Sequence, residues 1–84
     1  MAKYKKKPVV IEAIRFTGSN YKEIRDFIGK DTFYSDLCIA IPTLEGIKVA
    51  TIGDYIIKDA RGEFYLCNQK IFDETYEVVS EAQP

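Results

Sequence analysis

The pattern of apolar and polar positions divides the chain into short strands and two helical segments. Residues 9–16 are rich in β-branched side chains and apolar on both faces, which predicts a central strand covered on both sides. Glu12 and Arg15 are unusual in such a strand, because buried charges need partners. Apolar residues then recur at helical spacing over residues 20–29, between Asn20 and a glycine, which predicts an amphipathic helix with a capping box.

The rest of the chain is rich in β-forming residues. Runs of such residues between turn signals predict four more strands, over residues 37–41, 47–51, 55–58 and 63–67, and the run over 47–51 alternates strictly. Pro42 closes the first of these or places it on a sheet edge. The last three read as a three-stranded meander, with turns at residues 53–54 and 59–62.

The C-terminal part of the domain carries the second helical signal. Asn68 is placed to cap a short helix over residues 69–75 that buries Ile71 and Phe72. Residues 76–79 are expected to close the sheet as a last strand.

Together these elements predict an α+β fold, a curved antiparallel sheet or small open barrel of five to six strands with one amphipathic helix and one short helix. We expect a basic lead-in over residues 1–7, a single domain over 8–79 and a polar tail over 80–84. An 84-residue chain holds one core and, on folding, buries only about 60% of the surface that its unfolded chain exposes. Self-association would therefore add stability.

The balance of charged residues limits the classes of partner that the protein can bind. Twelve basic and thirteen acidic residues give a net charge of −1, which argues against general nucleic-acid binding. A small anion needs only two or three cations. The basic N-terminus has no apolar run of signal-peptide or membrane length, so we expect a cytoplasmic protein. In the cytoplasm Cys38 and Cys67, each among apolar neighbours, are expected to be buried, reduced thiols.

The chain has no histidine, which removes serine triads, cysteine–histidine dyads and histidine-ligated metals from consideration. Metal-dependent phosphodiester hydrolysis remains the least unfavourable activity, through the carboxylates Glu12, Glu45, Asp54 and Glu63. Scattered acids are also an ordinary surface feature, and the isolated glycines fit turns better than a phosphate loop. We therefore expect a protein that is not an enzyme and has no cofactor and no metal.

Residues suited to holding an anionic nucleotide gather in the C-terminal half. Aromatic rings stack on bases, cations pair with phosphates and amides read base edges, and the candidates are Lys48, Tyr55, Lys58, Arg61, Tyr65, Asn68 and Lys70. A pair of Tyr55 and Tyr65 across the hairpin could hold a ligand or only stabilise the hairpin. Arg15 is the eighth candidate, with a structural ion pair to an acid as the alternative.

Several segments together resemble a group of short proteins, without an assigned function, from tailed bacteriophages and prophages. The segments are KKPVVIEA (6–13), TLEG (43–46), IGDYIIK (52–58), GEFY (62–65), IF (71–72) and TYE (75–77). The resemblance runs from Lys6 to Val79 and departs at Leu66 and at residues 68–70, where the group has a proline-containing segment. It implies an accessory, anti-defence role, either gripping a host protein or sequestering a nucleotide immune signal.

These observations favour a non-enzymatic, homo-oligomeric protein that sequesters a small nucleotide-derived host immune signal in the host cytoplasm. The alternative is a protein-binding inhibitor of a host defence enzyme or complex. For that role the loop residues Phe33 and Tyr34 and the exposed helix face would serve as anchors.

Overall fold

The computed structural model describes residues 2–4 and 10–77. Along this part of the chain the elements are β1 (Glu12–Arg15), α1 (Tyr21–Ile28), β2 (Cys38–Thr43), β3 (Gly46–Thr51), β4 (Tyr55–Lys58), β5 (Phe64–Cys67) and α2 (Gln69–Thr75). The α+β class, with one amphipathic and one short helix, is confirmed. No helix in the described part is long and apolar enough to cross a membrane.

Parts of the predicted organisation fall on residues that the structure does not describe. The polar tail over 80–84 and most of the basic lead-in over 1–7 lie outside the described residues. The last predicted strand, over 76–79, is described only at Tyr76 and Glu77, and neither residue is in a strand.

The strands form two antiparallel sheets. One has the order β1-β4-β5 and the other pairs β2 with β3, so the described strands do not close into a single sheet or barrel. The predicted meander was therefore wrong in its first member, because β3 pairs with β2 and not with β4. The reason lies in the turn after β3, where the Asp54 side chain accepts from the Thr51 amide at 2.9 Å. This turn directs the chain into the other sheet.

The strand predicted to be central and covered on both faces is also different. Within the described residues β1 lies at the edge of the three-stranded sheet and pairs only with β4. Glu12 and Arg15 are exposed, and Ile14 packs against the core. An edge strand with one wet face tolerates both charges, which explains their presence.

The core lies between α1 and both sheets. Its buried members come from α1, from β2, β3 and β4, and from the residue after β1. They are Phe16, Ile24, Ile28, Ile39, Ile41, Ala50 and Ile56. The predicted buried cysteines do not join it, since Cys38 and Cys67 are only partly buried, although both are free thiols. Burial raises the pKa of the Cys67 thiol, so this thiol stays protonated at neutral pH.

Helix α1 begins without the predicted capping box. Asn20 instead accepts a hydrogen bond from the Thr17 amide at 3.0 Å and donates to the Arg15 carbonyl at 2.7 Å and to Glu23 at 3.0 Å. The Asn20 side chain therefore links the end of β1 to the first turn of α1 by hydrogen bonds. The helix ends as predicted at Gly29, which adopts a left-handed φ of 83°.

Helix α2 is capped as predicted, because Asn68 accepts from the Ile71 amide at 2.9 Å. The prediction that α2 buries Ile71 and Phe72 was wrong for Ile71, which is 52% exposed, and Phe72 is only partly buried. Phe72 is the anchor, with its ring stacked on Tyr55 at 3.8 Å between centroids. The short helix therefore lies on the face of the three-stranded sheet opposite the core.

The loop between β4 and β5 is organised by Asp59. Its carboxylate accepts from the Glu63 amide at 3.0 Å, the Arg61 amide at 2.9 Å and the Tyr65 hydroxyl at 3.1 Å. The hydrogen bond from the Glu63 amide, with the other two, holds the pKa of Asp59 below its ordinary value. The predicted hairpin loop is thus confirmed as a loop built around one carboxylate.

The core position Ile39 allows a direct stability test. We expect Ile39→Ala to lower the free energy of unfolding by about 2–5 kcal/mol, because it leaves a cavity among fully buried neighbours. The exposed matched control, Ile71→Ala, should stay within about 0.5 kcal/mol of the parent. Urea unfolding measures both, and equal losses in the two variants would contradict this location of the core.

The Asp59 loop predicts a dependence of stability on pH. Because folding lowers the pKa of this carboxyl, its stabilising contribution is complete above the unfolded pKa of about 3.9 and is lost as pH falls through the folded pKa. Asp59→Asn should therefore be less stable than the parent at neutral pH, with a difference that shrinks below about pH 4. Urea unfolding across pH measures the difference, and a constant gap would contradict the assignment.

Candidate functional site

The face of the three-stranded sheet that carries α2, named here the α2 face, brings two predicted binding residues together. The register places Arg15 opposite Tyr55, and Tyr55 opposite Cys67, in one row across β1, β4 and β5. Their neighbours Ile56 and Leu66 point to the core, so this row points away from it. Side chains directly opposite in adjacent strands lie about 5 Å apart at Cβ, which makes Arg15 and Tyr55 neighbours.

The side-chain contact of Arg15 is with an uncharged residue of α2. Its Nη2 donates to Gln69 Oε1 at 3.3 Å, across the gap between β1 and α2. Gly53 lies beneath this contact, where an added Cβ would be 3.8 Å from Arg15 Nη2. Arg15 forms no ion pair with any residue in the described part of the chain. The structural ion pair considered as its alternative role is therefore not found among those residues.

An aromatic column stands beside this arginine. Phe72 stacks on Tyr55 with an interplanar angle of 5°, and Tyr76 packs on Phe72 at 5.0 Å. The three rings come from β4, α2 and the residue that follows α2. They form an aromatic wall that starts at Tyr55, the register partner of Arg15, and a cation beside aromatic rings is typical of sites that hold a planar, charged ligand.

Lys58 lies on the other face of the sheet. Its Nζ stands 6.0 Å from the Phe27 ring centroid and 5.9 Å from that of Phe64. Both rings pack against the core, so the ammonium covers a core edge. Lys58 therefore does not join Arg15 in one site.

The proposed pair of Tyr55 and Tyr65 does not form, because Tyr65 is opposite Ile57 in the register. The Tyr65 hydroxyl donates to Asp59 and, at 3.3 Å, to Glu63. The hydrogen bond to Asp59 raises the pKa of Tyr65. Tyr65 therefore has a structural role in the hairpin.

Lys48 and Tyr65 line one small cavity, together with residues of the turn between β2 and β3. The cavity volume is about 60 Å³, well below the roughly 300–1,000 Å³ of typical ligand sites. Lys48 is also neutralised by Glu45 at 2.8 Å. A cavity of this size is too small to enclose a nucleotide.

The other three candidates are dispersed. Arg61 is exposed in the hairpin loop, and Lys70 is exposed on α2, directly after Gln69. The Asn68 amide oxygen is used in capping α2. Of the eight predicted residues, the structure thus brings Arg15 and Tyr55 into contact range, with Lys70 nearby on α2.

Two residues of the α2 face are not among the site residues predicted from the sequence. Gln69 and Phe72 lie one helical turn apart on α2, and both contact predicted site residues on the sheet. The sequence predicts Phe72 only as a buried residue of α2, because the face that α2 covers is not known from the sequence. It gives no signal for Gln69, whose contact with Arg15 depends on tertiary packing.

A wider concave pocket lies elsewhere, at the C-terminal end of α1. It has a volume of about 380 Å³ and is lined by Arg25, Asp26, Gly29, Lys30 and Asp31. Arg25 is paired with Asp26 at 3.2 Å and with Asp31 at 3.6 Å. Because the acids and bases balance, this pocket has no evident preference for an anion.

The carboxylates considered for metal-dependent hydrolysis lie on separate elements. Glu12 is on β1, and Glu45 is in the turn after β2. Asp54 precedes β4 and Glu63 precedes β5. Among the residues that the structure describes, no group of three or more potential metal ligands is found.

Comparisons with protein-family models, with curated proteins and with solved structures give no match. The resemblance to phage proteins therefore stays a prediction from the sequence.

Proposed function

We propose that this protein is a non-enzymatic binding protein that sequesters a small nucleotide-derived anion on the α2 face. The observation that carries the proposal is Arg15, a guanidinium without an ionic partner among the described residues, held toward the amide of Gln69. The aromatic column beside it starts at Tyr55. The site thus has a guanidinium that can bind an anion, and an aromatic wall that starts at the neighbouring strand position.

The guanidinium is suited to phosphate because its planar fork donates two parallel hydrogen bonds. Gln69 can contribute as well, since its amide nitrogen is a donor while its oxygen orients Arg15. The backbone at Gly53 comes close to both side chains, leaving room that a larger residue would fill. The side chains of Arg15 and Gln69 thus place two hydrogen-bond donors over the turn at Gly53, where they can bind one phosphate group.

The aromatic column supplies the contact for the remainder of the ligand. A base or ribose lying against Tyr55 or Tyr76 would bury apolar surface next to the bound phosphate. Lys70 on α2 is exposed one residue from Gln69 and adds a second cation for a diphosphate or cyclic dinucleotide.

Binding without cleavage fits the residue set, because the chain contains no histidine to act as a general base near neutral pH. The resemblance to phage accessory proteins supports a host immune signal as the ligand. In this proposal the protein is phage-encoded and acts in the host cytoplasm, where it lowers the free concentration of that signal by mass action.

The role of Arg15 is tested by titration calorimetry with ADP-ribose and with cyclic dinucleotides as probes. Arg15→Gln should weaken the tightest binding by about 10- to 100-fold, because one charge-assisted contact is worth about 1.5–3 kcal/mol. Arg15→Lys should recover only part of the loss, since it restores charge without the bidentate fork. The matched control is Arg25→Gln, which removes a guanidinium that is paired at the end of α1.

The proposal fails if no probe binds the parent protein, or if Arg25→Gln weakens binding as much as Arg15→Gln. Recovery of a chemically altered probe would contradict the non-enzymatic part alone. Because the chain has no tryptophan, a co-purifying nucleotide would also be visible in the ultraviolet spectrum.

A further inference from the structure

The sheet formed by β2 and β3 has an outward face without charge, named here the apolar face. Ile39, Ile41 and Ala50 are buried on the core side of this sheet, so the alternate residues point outward. By register these outward residues form three rows, and they are Cys38, Ala40, Pro42, Ile47, Val49 and Thr51. None of the six is an acidic or basic residue, although 30% of the chain is charged.

Phe33 extends the apolar face on the other side of β2. Tyr34 is bridged to Ile39, and the Phe33 carbonyl accepts from the Ala40 amide at 2.9 Å. Since Tyr34 shares the core side with Ile39, Phe33 lies on the opposite side, next to Ala40. Val49 flanks Ala40 from β3. An aromatic, a small residue and a branched residue therefore form one row across the face.

The largest side chains of the apolar face are highly exposed. Phe33 is 89% exposed, Ile47 76% and Val49 58%. At typical side-chain areas the face presents roughly 500 Å² of apolar surface. Two such faces in contact would bury roughly 1,000 Å², which reaches the size that specific interfaces require.

We propose that the apolar face is the contact surface of a symmetric homodimer, in which it packs against the same face of a second copy. Charge complementarity favours this occupant, because a two-fold contact between uncharged faces brings no like charges together. The small size of the domain acts in the same direction, since an 84-residue chain gains most from added buried area. The arrangement is two sheets packed face to face, at the spacing of a β-sandwich.

This contact is independent of the anion site. Arg15 and Tyr55 belong to the other sheet, and their α2 face carries its own helix. Loss of the dimer and loss of anion binding are therefore separable by measurement.

Sedimentation equilibrium from low to high micromolar protein tests the proposal. The parent should be a dimer, and Val49→Glu should be a monomer throughout, because the substitution places a charge at the centre of the contact. Ile71→Glu is the matched control, since it puts the same charge on an exposed apolar position of α2 and should leave the dimer intact. Circular dichroism checks the fold of each variant.

Val49→Thr keeps β-propensity and tests the face without a charge. It should raise the dimer dissociation constant by about tenfold or more, since both copies lose apolar contact. This variant decides the question if Val49→Glu does not fold.

Three results would overturn the homodimer. The first is a parent that is monomeric at high micromolar concentration, and if that monomer retains a host protein through Phe33 and Val49, the face belongs to that partner instead. The second is dimerisation of both Val49→Glu and Val49→Thr with the affinity of the parent. The third is open-ended assembly beyond the dimer, which contradicts the two-fold contact.

Discussion

The two sheets are held in their relation by the turn that follows β3. Gly53 donates its amide to the Phe16 carbonyl, and the Phe16 amide donates to the Asp54 carbonyl, both at 2.8 Å. The side chain of Asp54 closes the turn on Thr51. Gly53 adopts a φ of 99°, which side chains with a Cβ rarely tolerate. This turn joins β3 of one sheet to β4 of the other and fixes Arg15, the neighbour of Phe16, above Gly53.

That constraint separates the molecule into surfaces with different chemistry. The core fills the space between α1 and the two sheets, and each sheet then has one remaining outward face. The face of the three-stranded sheet has a cation, an amide and stacked rings, whereas that of the β2–β3 sheet has uncharged apolar side chains. The first is suited to a small anion and the second to another apolar surface, so one small domain can carry both contacts.

The sequence predicted several local features correctly, although not the start of α1, where the capping box of Asn20 does not form. The turn at Gly53, the end of α1 at Gly29 and the Asn68 cap depend on residues within a few positions of each other. Strand pairing was predicted poorly, since alternation tells which side chains share a face but not which strand lies alongside. The suggested pair of Tyr55 and Tyr65 was wrong because it depends on the register of the strands. The predicted burial of Ile71 was wrong because it depends on which side of α2 packs on the sheet. Arg15 was recognised because a charge in an apolar strand stands out, whereas its contact with α2 depends on tertiary packing.

Binding of an anion where Arg15 faces α2 can be located by NMR, from amide chemical-shift changes during a titration with ADP-ribose or a cyclic dinucleotide. This measurement reports the place of binding without a substitution. We expect the largest changes at Gly53, Tyr55 and Gln69, with small changes around Arg25. Largest changes around Arg25 and Lys30, at the pocket beyond α1, would contradict it.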